Sequence, residues 1–399
     1  MTIKDRFLKY VSYYTTSDEN SETVPSTERQ KALGRHITDE LNAMGVEAEM
    51  DELGYVYAYL PASPDCAEKD AIGFIAHMDT APDAPGDNIH PKCVVYQGGD
   101  IPLSDTEAIR ADTFECLAKY VGQELIVTDG TTLLGADDKA GAAEIVTAVE
   151  YLKTHPEISH RGVAVCLTPD EEIGRGADHF NYDKFRAPFA YTVDGGALGE
   201  IEYENFNAAS VKVTVRGVNI HPGSAKNKMK NAALLACEFV SRLPAAETPA
   251  HTEGYEGFYH VTDISGCEMN AEVRLIIRDH DREIFENRKR FVENLCGYLN
   301  TVYGEGTFTA EIRDSYYNMK EKILPHFHLI EAAQEAMRRA GAEPVTVPIR
   351  GGTDGARLSY EGLPCPNLST GGENFHGVHE FVSVPAMETM VKVLTLLAE

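Results

Sequence analysis

Short β-rich runs alternate with amphipathic helical stretches through the first half of the chain, and this alternation limits the possible fold more than any other feature. The runs Ala71–His77, Gly162–Leu167 and Phe189–Val193 have the length and apolar content of buried strands. The stretches Glu28–Met44 and Asp138–Leu152 carry apolar residues at helical spacing. The order strand, loop, helix favours an α/β fold in which helices flank a sheet.

The pattern changes near Ala208 and returns after Ser315. Two alternating strands and two helices are predicted between these points: Ala209–Gly217, Asn231–Arg242, Glu272–Asp279 and Asp281–Leu299. Beyond them a helix fits Ile330–Ala340, and the α/β pattern continues to the end of the chain. We therefore predict a larger α/β domain with a small α+β domain inserted into it: residues 1–207 plus 318–399, and residues 208–317.

The charge balance and the cysteine pattern limit the partners and the compartment. The 399 residues include 36 basic and 63 acidic ones, a formal net charge of −27, so most of the surface should repel nucleic acid. No apolar run approaches the roughly 20 residues that span a bilayer, and the charged beginning of the chain lacks a secretion signal. The eight cysteines form no C-x-x-C pair, which favours reduced thiols. We expect a soluble cytoplasmic protein that binds neither nucleic acid nor membranes.

Polar residues gather where the predicted strands end, and α/β folds usually place their active sites there. His77 and Asp79 point to the same face of an extended chain, so Asp79 could orient the imidazole while His77 binds a metal. A capping or solvent-facing pair is the alternative. Asp137 and Asp138 stand side by side at a strand-to-helix turn. Such a pair indicates a helix cap, a cation or both, and one of the two suits a bridging carboxylate.

A second acidic segment follows the strand that ends at Leu167. Asp170, Glu171 and Glu172 repel one another unless a cation is near, so a metal site and a solvated loop are both open. In an extended chain the two glutamates would point opposite ways, which allows one to ligate a metal and the other to face a reacting water. Asp194 ends the next strand, where a turn-forming role is the alternative.

Two histidines, His376 and His379, lie three residues apart near the end of the chain. Gly377 favours a loop in which only one of them reaches a site, and His376 is the stronger candidate. The full set of candidate ligands is His77, Asp137, Glu171 or Glu172, Asp194 and His376. These residues supply only nitrogen and oxygen ligands, which suit zinc, cobalt or manganese in a hydrolytic site. The set exceeds what one catalytic zinc takes, so we predict two metals with an aspartate between them.

Taken together, these motifs resemble a family of dizinc peptidases and deacylases that includes aminoacylases, desuccinylases and bacterial exopeptidases. The resemblance is carried by five motifs: H-x-D at His77, G-A-D-D-K-A-G around Asp137, D-E-E-I-G from Asp170, V-D-G-G with Asp194 and G-G-E-N-x-H-G with His376. It implies an αβα zinc domain with an inserted lid domain. Segments outside the motifs, such as T-E-G-Y-E-G-F-Y-H and I-R-G-G-T-D-G, resemble family members that release the N-terminal residue from tripeptides.

The resemblance also implies how the ligands divide between two zinc ions, for which cobalt or manganese are possible substitutes. His77 and Asp194 would bind one ion, and Glu172 and His376 would bind the other. Asp137 would bridge the two. The neighbouring Asp138 and the second histidine, His379, match no ligand of the family pattern.

The implied mechanism is hydrolysis of the first peptide bond by water that the metals activate. Glu171 would take the proton of that water and pass it to the leaving amine, while Asp79 would hold the histidine of the H-x-D motif. His221 is a candidate for stabilising the oxyanion. Arg278 and Arg350 are candidates for binding the terminal carboxylate of a short peptide, with a structural ion pair as the alternative for each.

Other functions on the same core remain open at this point. A carboxypeptidase or an N-acyl amino-acid deacylase is the alternative, because metal ligands set the reaction type but not which end of the substrate is recognised. A non-catalytic peptide or metal binder is disfavoured, since the base and all five ligand positions are present. The sequence leaves open the side-chain preference, the native metal and a homodimer through the lid domain.

Overall fold

The computed structural model describes all residues from 1 to 399. Nine α-helices follow one another along the chain: α1 Ile3–Val11, α2 Gln30–Ala43, α3 Ala136–Thr154, α4 Ala232–Ser241, α5 Arg282–Tyr303, α6 Lys320–Ile323, α7 His328–Ala340, α8 Asp354–Tyr360 and α9 Val384–Ala398. There are eighteen strands: β1 Glu47–Met50, β2 Val56–Leu60, β3 Ile72–His77, β4 Lys92–Val95, β5 Ile101–Pro102, β6 Ala108–Ile109, β7 Glu124–Val127, β8 Val163–Thr168, β9 Ala190–Gly195, β10 Glu200–Glu202, β11 Asn207–Arg216, β12 Phe258–Gly266, β13 Asn270–Asp279, β14 Phe308–Tyr316, β15 Val345–Thr346, β16 Asn367–Ser369, β17 Gly372–Glu373 and β18 Phe381–Ser383.

The chain divides into two compact units. The first comprises Met1–Tyr203, Glu321–Val347 and Thr353–Glu399. The second comprises Glu204–Lys320 and Pro348–Gly352.

The first unit is built on an eight-stranded sheet with the strand order β1-β2-β8-β3-β9-β16-β10-β15. At its centre β8, β3 and β9 are parallel neighbours, and His77 at the end of β3 pairs with Thr168 at the end of β8. Ile75, Val165 and Val193 on these strands are fully buried, as expected for parallel strands covered on both faces. Because the carboxyl ends of parallel strands meet at one edge, the residues that follow these three strands are brought together.

Helices cover this sheet and fix the turns around it. Helices α1, α3, α7 and α9 pack on one another, α3 also lies on β3 and β9, and α2 lies on β1 and β2. Helix α3 is buried on nearly all sides. Helix α9 begins after Ser383, whose hydroxyl accepts a hydrogen bond from the backbone N–H of Ala386, and Pro385 stands in its first turn.

A smaller antiparallel sheet in the same unit has the strand order β17-β18-β7-β4. The hairpin β17–β18 carries the loop with His376, and β18 pairs with β7 through Val382 and Ile126. Since β7 leads into the turn before α3, this pairing holds the His376 loop and the Asp137 turn on the same framework.

The second unit is an antiparallel sheet with the strand order β12-β13-β11-β14, packed against α4 and α5. Strand β11 alternates buried and more exposed residues over its second half, and its buried Val213 packs with Phe239 and Leu299 from the helices. Helix α5 begins after Asp281, whose carboxylate accepts a hydrogen bond from the N–H of Ile284.

The α/β fold class predicted from the alternation of strands and helices is confirmed. The second unit covers the stretch where the sequence pattern predicts an inserted domain, but it also includes Pro348–Gly352, which that pattern does not indicate. This short segment belongs to the unit because Ile349 donates a backbone hydrogen bond to Glu204 at 2.8 Å and its carbonyl lies 3.0 Å from the ring of His280. None of the helices combines the length and apolar character that a membrane span requires.

Candidate functional site

Three strand ends of the first unit bring the predicted site residues together. His77 is the last residue of β3, Asp194 lies near the end of β9, and Glu171 and Glu172 follow β8. His77 is 2% exposed. The strand order places β3 between the other two, so His77 lies centrally in the group.

Asp137 joins this group from the turn that begins α3. The turn starts at Gly135, which has a positive φ of 76°, and the peptide bond between Asp137 and Asp138 is cis. Glu380 holds the turn from the far side. Its carboxylate accepts the backbone N–H groups of Leu134, Gly135 and Asp137 at 2.7, 2.8 and 3.1 Å. These three hydrogen bonds restrain the backbone of the turn and so fix the position of the Asp137 carboxylate.

A first group of possible metal ligands consists of His77, Asp137 and Asp194, whose ligand atoms all lie within 4.8 Å of one another. The Nε2 atom of His77 lies 2.8 Å from Asp137 Oδ1 and 3.3 Å from Asp194 Oδ1. On the other side of the ring, His77 Nδ1 lies 3.3 Å from Asp79 Oδ1. Asp79 therefore holds the ring so that Nε2 faces the two carboxylates.

A second group consists of Asp137, Glu172 and His376, again within 4.8 Å. The Nε2 atom of His376 lies 3.3 Å from Asp137 Oδ2 and 3.1 Å from Glu172 Oε2. Asp137 thus contributes one oxygen to each group. His376 and the nearby Asn374 adopt positive φ angles of 64° and 59°, a conformation that residues other than glycine adopt mainly where the surroundings impose it.

The donor set fits a pair of divalent cations. Two imidazoles and three carboxylates supply nitrogen and oxygen only, and the shared Asp137 suits a bridging position. The Oε1 atom of Glu172 is buried and has no hydrogen-bond partner in the protein. A buried carboxylate oxygen without a partner is costly, and a cation would satisfy it.

The pKa values of the possible metal ligands also favour a bound cation. Burial, reinforced by repulsion from Asp137, raises the pKa of Glu172 to about 8, and burial raises the pKa of Asp194 to about 6. Hydrogen bonds to Asp137 and Glu172 raise the pKa of His376 to about 11. Burial alone would lower the pKa of His77, but Asp194 and Asp137 outweigh it and raise this pKa well above its usual range. The carboxylates therefore need positive charge close by.

Glu171 lies beside the ligands on the same turn as Glu172. The two residues form a single 3₁₀ turn, Glu171–Ile173, so the extended chain assumed from the sequence is wrong at this point. Asp79 fixes the turn, because its carboxylate accepts the N–H of Glu171 at 3.0 Å and that of Glu172 at 3.2 Å. Burial, with repulsion from Asp194, raises the pKa of Glu171 well above its usual range. A carboxyl group with a raised pKa suits proton transfer near neutral pH.

Two neighbouring candidates lie outside the ligand groups. The carboxylate of Asp138 accepts the N–H of His77 and, as a helix cap does, the N–H of Gly141, each at 3.1 Å. His379 points elsewhere, since its ring lies against Phe114 and its Nε2 is 3.4 Å from Glu107.

The remaining predicted residues lie in the second unit. His221 is exposed, and its Nδ1 accepts the N–H of Gly223 at 3.2 Å. Arg278 lies over the ring of Tyr316, and only its Nη1 donates hydrogen bonds, to the carbonyls of Ala209 and Ile277.

Arg350 is more fully engaged. Its two terminal nitrogens donate to the carbonyls of Gly254, Glu256 and Thr252 and to the Thr252 hydroxyl, at 2.7 to 3.3 Å. Its guanidinium also lies over Phe206, 5.1 Å from the ring centre. These contacts tie Arg350 to its own unit through carbonyl groups, a hydroxyl and an aromatic ring, and none of them is the ion pair that was the alternative from the sequence.

Sequence reasoning missed two residues that support the site. Glu380, which holds the Asp137 turn, is fully buried, and nothing in its sequence context separates it from Glu373. Lys139 is fully buried as well, and its Nζ donates to the carbonyl of Tyr13 at 2.8 Å. Lysine at the start of a helix is usually exposed, so nothing in the sequence indicates this burial.

Comparison with known proteins adds the following findings. The family model described as peptidase family M20/M25/M40 matches residues 127–399. Peptidase T of Caldanaerobacter subterraneus subsp. tengcongensis is 54% identical over 401 residues, which cover 100% of this chain and 98% of the relative. The crystal structure of aminopeptidase PepT from Bacillus cereus is similar with a TM-score of 0.76 at 23% identity, covering 99% of this chain and 97% of that one. A tripeptidase from Staphylococcus aureus is similar with a TM-score of 0.77 at 21% identity, covering 99% and 96%.

Proposed function

Because the chain belongs to peptidase family M20/M25/M40, we propose that it is a metal-dependent aminopeptidase that releases the N-terminal residue from tripeptides. The observation that carries the proposal is the pair of three-ligand groups that share Asp137, with Glu171 on the turn that supplies one ligand. The 54% identity to peptidase T along the whole chain favours an aminopeptidase over a carboxypeptidase or a deacylase.

We propose that two divalent cations occupy the site, zinc first among them. His77 and Asp194 would hold one, Glu172 and His376 the other, and Asp137 would bridge the two. Cations bound there would act as Lewis acids and lower the pKa of a coordinated water towards neutrality.

The protein's own part in the reaction is to move a proton and to hold the reacting groups. Glu171 would accept the proton of the attacking water and later return it to the leaving amine, which its raised pKa suits. Asp79 would keep the turn of Glu171 and the ring of His77 in a fixed relation, since it contacts both. His221 is proposed to stabilise the developing oxyanion.

Recognition of the substrate's terminal carboxylate is proposed for Arg278 more than for Arg350. The Nε and Nη2 groups of Arg278 donate no hydrogen bond in the protein, so they are able to form a two-pronged bond to a carboxylate. Arg350 has already used both terminal nitrogens on its own unit.

A panel of di-, tri- and tetrapeptides with free and blocked termini tests the function directly. We expect fastest hydrolysis of tripeptides with a free amine, loss of activity with a chelator, and recovery with zinc, cobalt or manganese. Hydrolysis of N-acylated substrates, or release of the C-terminal residue first, would replace the aminopeptidase by a deacylase or a carboxypeptidase. Full activity after metal removal, verified by elemental analysis, would refute the metal-dependent mechanism. A cytoplasmic location and a homodimer through the second unit remain predictions.

A further inference from the structure

The turn that carries Glu171 and Glu172 begins at a residue with an unfavourable backbone conformation. Asp170 has a positive φ of 60° and is 1% exposed. Aspartate tolerates this left-handed region better than most residues, but it still needs surroundings that impose it. Neighbouring residues must therefore hold Asp170 in this conformation.

Asp170 is held by Ser26, in the loop before α2, and by Gln30, the first residue of α2. We call these three residues the Asp170 network. The backbone N–H of Ser26 donates to Asp170 Oδ2 at 2.6 Å, and the Ser26 hydroxyl donates to Oδ1 at 2.5 Å. The amide of Gln30 bonds in both directions: Nε2 donates to Asp170 Oδ1 at 2.6 Å, and Oε1 accepts the backbone N–H of Asp170 at 3.2 Å. All three residues are buried.

The Asp170 network and Asp79 together hold the beginning of the turn. Asp79 accepts the backbone N–H groups of Glu171 and Glu172, while the Asp170 network fixes the residue just before them. The Glu171 side chain makes no hydrogen bond or ion pair of its own within the protein. Its position therefore depends on the backbone beneath it, and a shift of about 1 Å in a catalytic group is enough to slow a reaction a hundredfold.

We propose that Gln30 and Asp170 are positioning residues for catalysis, which set the place of Glu171 through the Asp170 network. This inference rests on the proposed function, because it assigns the residues to the proton transfer by Glu171. Neither residue belongs to either ligand group, so their loss should affect turnover more than metal binding.

The paired contact between Gln30 and Asp170 allows a reciprocal swap. Gln30→Glu places a second carboxylate against Asp170, and Asp170→Asn places an amide N–H₂ against groups that already donate. In the double variant the amide and the carboxylate exchange places, so donor and acceptor match again and the net charge is unchanged. Ser26→Ala is a third variant, which leaves both swap positions unchanged. It removes the Ser26 hydroxyl, which donates to Asp170 and accepts the N–H of Asp18 at 3.0 Å and an amide N–H of Gln30 at 3.3 Å.

The test measures four quantities for the wild type and each variant at saturating zinc. They are kcat and KM for a tripeptide, the content of bound metal, and Tm. We expect each single swap variant to lower kcat about 10- to 100-fold with KM and metal content near those of the wild type. The double variant should recover at least about tenfold of the lost kcat. If a single variant does not fold, Ser26→Ala should still lower kcat by about threefold to tenfold. Asp51→Asn is the matched control, because Asp51 also accepts two backbone N–H groups in a loop, and it should leave kcat unchanged.

Three results would overturn the inference. They are unchanged kcat in the variants, a loss of activity that follows the loss of metal, and a double variant that recovers Tm but not kcat. The last result would show a purely structural role. A wild-type protein that hydrolyses no tripeptide would instead refute the proposed function, and the inference with it.

Discussion

Glu144 offers a test of how a buried carboxyl group without partners affects stability. It lies in α3, is fully buried, and neither of its carboxylate oxygens has a hydrogen-bond partner in the protein. Burial raises the pKa of Glu144 well above its usual range. The informative change is Glu144→Gln, which keeps the shape of the side chain and removes its ionisation.

The sign follows from comparing the folded and unfolded chains. In the unfolded chain Glu144 loses its proton above pH about 4.3, whereas the folded chain retains it until its raised pKa is reached. Between these two pKa values the unfolded state is favoured increasingly as pH rises, by about 1.4 kcal/mol per pH unit. The glutamine variant has no such dependence. It should match the wild type near pH 5 and be the more stable protein at pH 8.

The assay is urea unfolding at several pH values between 5 and 8, at constant zinc, with refolding checked for reversibility. Glu150→Gln on the same helix is the control with the opposite sign. Burial alone would raise the pKa of Glu150, but its hydrogen bond from Arg6 lowers it, so losing this carboxylate should destabilise the protein at neutral pH. Parallel pH curves for Glu144→Gln and the wild type would refute the reasoning, and would mean that Glu144 ionises in the folded chain.

The other predictions concern the metal ligands, the base and the substrate. Asp137→Ala should remove both metals because Asp137 belongs to both ligand groups, whereas His379→Ala should leave the metal content unchanged. Equal metal loss in the two variants, measured by elemental analysis, would contradict this assignment of ligands. Glu171→Gln should keep the metals and lower kcat at least about 10²-fold, and a loss of tenfold or less would place the base elsewhere. Arg278→Ala should lower kcat/KM for free tripeptides about 10- to 100-fold and leave kcat/KM for their C-terminal amides nearly unchanged. Arg350→Ala should lower Tm and change kcat/KM for both substrates alike.

The sequence predicts the strand ends well because burial and chain connectivity act locally. Apolar runs that end in His77, Asp194 or the segment after β8 identify parallel strands, and parallel strands leave their carboxyl ends at one edge. The contribution of Pro348–Gly352 to the second unit could not be predicted in this way. It depends on backbone hydrogen bonds between residues far apart in the chain, such as Ile349 to Glu204, which leave no periodic pattern.

The sequence also does not show which member of each acidic pair is the metal ligand. Adjacent carboxylates are equivalent in sequence until their hydrogen bonds are known. Asp138 has both oxygens occupied by backbone N–H groups, so it supports the turn, while Asp137 presents one oxygen to His77 and the other to His376. The same principle separates the glutamates, since the Glu172 carboxylate pairs with His376 while the Glu171 carboxylate forms no ion pair within the protein. A carboxylate that the backbone satisfies is fixed and unreactive, whereas one that the fold leaves unsatisfied is available to a cation or a proton. The role of each carboxylate in this site therefore depends on whether backbone N–H groups donate hydrogen bonds to it.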